Sequence, residues 1–93
     1  MTEEVKASHI LVETEAEAIS IKEEILSGTP FADLAAEHSL CPSGANGGDL
    51  GFFGRGQMVG EFETAAFDLK VGEISAPVRT NFGWHLIMVT DQK

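Results

Sequence analysis

An α+β fold is predicted by three features of the sequence. Alternating apolar residues occur near each end, helix-period apolar stripes lie between them, and glycines crowd the middle. The expected order is one strand, two helices, a long loop, a third helix and two strands. A short further strand is expected near residues 50–53.

Residues 5–12 read as the first strand. Val5, Ala7, His9 and Leu11 alternate with Lys6, Ser8, Ile10 and Val12. Both sets are mostly apolar, so both faces should be covered, as in a central strand. Thr14-Glu15-Ala16-Glu17 is a capping-box pattern, in which the hydroxyl takes one free N–H and the Glu17 side chain another. Ala18, Ile21 and Ile25, with Leu26 beside them, form a buried stripe. Gly28 ends the helix in the left-handed region. Thr29-Pro30 restarts the chain as cap and first helical residue, and Phe31, Leu34, Ala35 and His38 make a short second amphipathic helix.

Residues 39–51 read as a loop. Seven of the ten glycines (Gly44, Gly47, Gly48, Gly51, Gly54, Gly56 and Gly60) fall in or just after it. Such backbone does not hold a core together, so Phe52, Phe53 and Met58 are expected to line a site. Residues 59–69 form the third helix, with Phe62, Ala66 and Leu69 on one side. Lys70-Val71-Gly72-Glu73 is a turn, and residues 74–79 a strand interrupted by Pro77, which suits an edge. Asn81-Phe82-Gly83 turns the chain into the last strand, residues 84–90. There Trp84, Leu86 and Met88 share one face, and His85, Ile87 and Val89 the other.

Length and charge bound the function. The 93 residues, 43% of them hydrophobic, make one small globular domain over residues 1–93. A single cysteine excludes an internal disulfide framework. No run approaches the ~18 apolar residues of a membrane span. The start, Met1-Thr2-Glu3-Glu4, is acidic where a secretory signal is basic, and with the free thiol it leads us to expect a cytoplasmic protein. A net charge of −9 disfavours nucleic acid and anionic membrane as partners. The acids crowd the first third and read as a solvated helix face. With no long apolar stripe left over, a monomer is expected.

The polar residues able to do chemistry are His9, His38, Cys41, Asp49, Arg55, Gln57, Thr80 and His85. His9 and His85 sit mid-strand in apolar company. Each alone reads as a structural histidine; if the first and last strands are neighbours, the rings can share a face and hydrogen-bond. His38-x-x-Cys41 lacks the ligand number of a metal site. Cys41 as a nucleophile lacks the signature of a thiol hydrolase, and a small loop-corner residue is the plainer reading. The glycine run lacks the Lys-Ser/Thr ending of a phosphate loop, and Asp49 would repel phosphate.

Five segments occur together in order: His9-Ile10-Leu11-Val12, Ser39-Leu40-Cys41-Pro42-Ser43-Gly44, Gly47-Gly48-Asp49-Leu50-Gly51, Gly56-Gln57-Met58-Val59 and Phe82-Gly83-Trp84-His85-Leu86-Ile87. In these the chain resembles the parvulin-type peptidyl-prolyl cis/trans isomerases, over residues 7–89, and most of all the small stand-alone prokaryotic ones. The resemblance implies a four-stranded antiparallel sheet wrapped by three to four helices, parvulin/FKBP-like, in β-ααα-β-α-β-β order. It implies a non-covalent isomerase of Xaa-Pro bonds in flexible protein segments, assisting folding, with proline-containing peptides and unfolded clients as partners and neither cofactor nor metal.

By the same resemblance, His9 and His85 lie beneath the substrate, Thr80 hydrogen-bonds the pair, and Cys41 faces the amide. Leu50, Met58 and Phe62 take the proline ring. Phe53, Gln57 and Phe82 line the cleft, and the Gln57 N–H holds a substrate carbonyl. Phosphate-directed parvulins carry a basic loop after the first strand. Here Glu13-Thr14-Glu15-Ala16-Glu17 is acidic, so no phosphate preference is expected. Two rival readings are a peptide-binding chaperone module that uses the cleft without turnover, and a redox-sensing thiol protein.

Overall fold

The computed structural model describes residues 3–93; Met1 and Thr2, part of the acidic start, lie outside the described residues. Four strands form one antiparallel sheet: Glu4–Val12 (β1), Asp49–Gly54 (β2), Val78–Thr80 (β3) and Gly83–Gln92 (β4), in the order β2-β1-β4-β3. The expected α+β class and antiparallel sheet are therefore what the chain adopts. β1 is central, as its two apolar faces require.

The helices Glu15–Leu26 (α1), Phe31–His38 (α2) and Gly60–Asp68 (α3) cover the two faces. On one face, Ala18 and Ile21 of α1 and Phe31, Leu34 and Ala35 of α2 pack on Ile10, Val12 and Leu86. On the other, Phe62 and Ala66 of α3 pack on Val5, Ala7, Ile87, Val89 and Phe53. Strand alternation thus divides β1 and β4 between two cores, and His9 and His85 fall on the α3 side. The two strand ends meet: the Glu3 and Glu4 amides both donate to the Lys93 carbonyl at 2.8 Å, and the Lys93 amide donates to the Glu4 carbonyl at 2.9 Å.

Several local expectations need correction. Thr14 caps α1 by accepting the Glu17 N–H at 3.2 Å, but its own hydroxyl donates to the Glu17 carboxylate; Glu17 does not reach a backbone N–H. Leu26 is 72% exposed, because as the residue after Ile25 it lies about 100° round the helix from the stripe that Ile21 and Ile25 define. At Gly28, φ is +114°. There the Thr29 N–H bonds the Glu24 carbonyl and the Gly28 N–H the Ile25 carbonyl, each at 3.0 Å, a Schellman end. Pro30, not Thr29, caps α2, because its extended backbone (ψ 136°) leaves Phe31 as the first helical residue. His38 is exposed, past the buried stripe of α2.

The segment expected to be a plain loop contains a short 3₁₀ turn, Pro42–Asn46, and the short strand expected near residues 50–53 follows it as β2. Counting that turn, the order is β-ααα-β-α-β-β. The expectation that the glycine-rich chain stays out of the core fails at Phe53. β2 pairs Phe53 with Val5, and its side chain is 2% exposed. The strand expected over residues 74–79 is reduced to Val78–Thr80, since Pro77 has no N–H to give a ladder. Before it, Ser75 replaces strand pairing: its N–H donates to the Ile87 carbonyl at 2.8 Å and its hydroxyl accepts the Ile87 N–H at 3.0 Å.

Candidate active site

β1 and β4 set the histidines side by side. Leu11 lies opposite His85 and His9 opposite Ile87, so the two rings are diagonal neighbours on one face. Their Nδ1 atoms are 3.0 Å apart, with ring centroids at 5.2 Å and planes within 16°. Phe62 of α3 stands nearly perpendicular to both, at 5.5 Å from His9 and 5.3 Å from His85.

The pair belongs to a longer chain of contacts. The Phe82 N–H donates to Thr80 Oγ1 at 3.2 Å, and Thr80 Oγ1 lies 2.7 Å from His85 Nε2. On the other side, His9 Nε2 lies 3.2 Å from Ser43 Oγ, whose hydroxyl donates to Cys41 Sγ at 3.3 Å. One proton assignment satisfies every link. Thr80 donates to His85 Nε2, His85 Nδ1–H to His9 Nδ1, His9 Nε2–H to Ser43, and Ser43 to the sulfur. The opposite direction leaves the Thr80 hydroxyl with no acceptor among the described residues. In the satisfied direction the Cys41 S–H is free to point elsewhere.

Both imidazoles are neutral. Burial, reinforced by the His85 ring beside it, lowers His9 to about 4. Burial also lowers His85. A doubly protonated pair would set N–H against N–H across 3.0 Å.

Above the rings opens a cleft of about 500 Å³. Its lining is Leu11, Leu40, Pro42, Leu50, Met58, Val59, Phe62 and Phe82, with Gln57, Cys41, His9 and His85 as the polar members. No aspartate, glutamate, lysine or arginine is among these residues. Phe82 is 70% exposed and stands at the mouth.

One expected site residue is elsewhere, and one acts from behind the site as expected. Phe53 does not line the cleft: it is core, behind Phe62 (centroids 6.0 Å) and against Phe67 (6.2 Å), because β2 turns its side chain inward. Thr80 hydrogen-bonds the pair through His85, as expected, and is buried behind that ring rather than in the cleft lining. Of the other polar candidates, His38 lies outside the cleft, 3.7 Å from Glu37. Asp49 accepts the Gly51 N–H at 2.9 Å and is exposed. Arg55 stacks on the Phe67 ring at 4.3 Å. Among the described residues no group of three or more His, Cys, Asp or Glu side chains could hold a metal ion.

Ser43, which joins Cys41 to His9, was within a quoted motif but had no assigned task; only its contacts single it out. Leu11, Leu40, Pro42 and Val59 are ordinary apolar residues that the fold brings to the cleft. Gly48 places the Cys41 segment. Its carbonyl accepts the His9 N–H at 2.9 Å, and a Cβ there, at φ +82°, would run into the His9 carbonyl oxygen.

A sheet of this order, with a histidine pair under an apolar cleft, is the architecture of the parvulin class. The chain belongs to that family: the model of the Rotamase, PPIC-type PPIase domain matches residues 2–91. It is 54% identical over 91 residues to the foldase protein PrsA of Halalkalibacterium halodurans, covering 97% of this chain but 27% of that protein. The crystal structure of the peptidylprolyl isomerase PrsA from Bacillus anthracis superposes with a TM-score of 0.96 at 48% identity, over 99% of this chain and 43% of that one. The solution structure of NmPin, the parvulin of Nitrosopumilus maritimus, superposes with a TM-score of 0.89 at 43% identity, over 98% of this chain and 99% of that one. The chain thus spans about a quarter to a third of the curated foldases it resembles, and the whole of a stand-alone parvulin.

Proposed function

We propose that this chain accelerates cis/trans exchange of Xaa-Pro bonds in flexible protein segments, without covalent chemistry, and so assists folding. The observation that carries the reading is the pairing of two neutral imidazoles with a cleft that has no ionic side chain in its lining.

Rotation about an Xaa-Pro bond is slow because it breaks amide resonance, a barrier of ~18–20 kcal/mol. No bond is made or cut, so the protein need only bind the twisted amide better than the planar one. Leu50, Met58 and Phe62 grip the ring while the preceding carbonyl swings. A cleft of low polarity penalises the charge-separated planar amide. The prolyl nitrogen, pyramidal in the twisted state, gains a lone pair that the Cys41 S–H can approach, since Ser43 occupies the sulfur as its donor. The histidines and Thr80 hold that arrangement without adding charge. Cys41 is a polar neighbour of the amide, not an attacking group.

The clients are unfolded or flexible segments without a phosphate requirement. The chain acts as a monomer in the cytoplasm, which a reduced and half-buried Cys41 suits; gel filtration and fractionation test these two points.

Exchange NMR on a panel of Ala-Xaa-Pro-Phe peptides tests the function. Enhanced exchange with shifts mapping to Met58 and Phe62 is expected. Binding without acceleration would leave only a peptide-binding module.

A further inference from the structure

We infer that Glu63 is a positioning residue that holds the Gln57 wall of the cleft in place from the first turns of α3. This rests on the isomerase reading above.

Residues 55–59 link β2 to α3 and carry three cleft residues, Gln57, Met58 and Val59. The link lacks regular structure, and Gly56 takes φ +88°, so its backbone needs outside restraint. That restraint comes from one carboxylate. The Gly56 N–H donates to Glu63 Oε1, and Glu63 Oε2 lies 3.9 Å from Arg55 Nη1. Arg55 is itself laid on the Phe67 ring one helical turn further on, at 4.3 Å. The Gln57 side chain closes the turn from within, accepting the Gly54 N–H at 2.7 Å.

The neighbouring Gln57 N–H has no acceptor among the described residues and is free for a ligand. Glu63 is half-buried and follows Phe62, a lining residue of the same cleft. Phe62 and the 55–59 link, two parts of that lining, are therefore tied through adjacent residues of one helix. The Gly56 and Gln57 N–H groups lie in adjacent peptide planes joined at the Gly56 Cα, so anchoring the first plane, with the Gln57 side chain tied to Gly54, narrows where the second can point. A group that orders the wall before a substrate arrives acts on binding in both the planar and twisted states. Its loss therefore moves KM more than kcat.

The test is exchange NMR on an Ala-Leu-Pro-Phe peptide with Glu63→Ala and Glu63→Gln. Glu63→Ala should raise KM about tenfold with kcat within about twofold, as expected when a charge-assisted bond to a binding loop is removed. Glu63→Gln keeps a carbonyl oxygen for Gly56 and should stay within about threefold of the parent. The Gly56 amide should move upfield and exchange faster in Glu63→Ala, and should be largely restored in Glu63→Gln. If Glu63→Ala does not fold, Glu63→Asp, whose carboxylate is withdrawn by one methylene, is measured instead. Unchanged KM, or an unmoved Gly56 amide, overturns the assignment. If the parent chain accelerates no exchange, the isomerase reading fails. The clamp is then decided by the Gly56 amide and by the Kd for the same peptide.

Discussion

His9 and His85, 76 positions apart in the chain, meet Nδ1 to Nδ1 at 3.0 Å. One proton serves both nitrogens. The relationship follows from strand register: β1 and β4 are antiparallel neighbours, and a one-residue slip would turn one ring to the opposite face. It makes the pair an electrically neutral support for whatever occupies the cleft.

Stability should depend on this pair at mildly acid pH. His9 has a folded value of about 4 against an ordinary 6.5, so the unfolded chain binds the proton more readily between those limits. Stability then rises with pH across that window and levels above it. For His9 the rise amounts to about 3 kcal/mol at most. Urea midpoints through the window measure it, and His9→Asn should show a shallower slope. Equal slopes in parent and variant would remove His9 as the cause. The isomerisation rate should be level near neutrality and fall only as the pair gains a proton.

Cys41→Ser and Cys41→Asp should retain measurable turnover. A polar neighbour of the amide is worth about tenfold, whereas a nucleophile is indispensable. Exchange rates on folded variants decide between them. Complete loss of rate in a variant with an intact spectrum would point to covalent chemistry.

Two apolar residues of the same glycine-rich segment should fail differently. Phe53→Ala removes a core side chain braced by Phe62 and Phe67, and should cost about 3–5 kcal/mol of stability. Met58→Ala should lower stability by about 1 kcal/mol and raise KM about fivefold, because its side chain faces the cleft. Thermal melts and peptide titrations separate the two. Equal effects on KM would return Phe53 to the cleft.

Phosphorylation of the residue before proline should not speed the reaction. The chain leaves the cleft wall at Leu11 and runs into Glu13, Glu15 and Glu17, all exposed. A dianionic phosphate there meets carboxylates. Paired Ser-Pro and phosphoSer-Pro peptides should show equal or slower exchange for the modified one. A faster phosphopeptide would refute the expectation.

Much of this was legible in the residues. Alternation in β1 and β4 announced both strands and put His85 with Ile87 and Val89, the face it occupies. The stripes of α1, α2 and α3 gave the helices to within a residue or two. What was hidden depended on partners distant in sequence. Phe53 sits among glycines, and nothing local reveals that Val5 will pair with it and carry it into the core. Ser43 looks like any loop serine until His9 and Cys41 are set on either side of it. Leu11 and Leu40 are unremarkable apolar residues, and only the folded chain brings them into the lining of one cleft. The sites that patterning missed are those made by tertiary contact rather than by period or spacing.

The amides of Glu3 and Glu4 share the Lys93 carbonyl, so the path of the chain closes almost into a ring. This closure lies at the far end of the central strands from His9 and His85, across the length of β1. Glu3 and Lys93 are therefore adjacent points on the surface of the domain. Such a domain tolerates being carried on two adjacent stalks, or severed elsewhere and rejoined by a short tether.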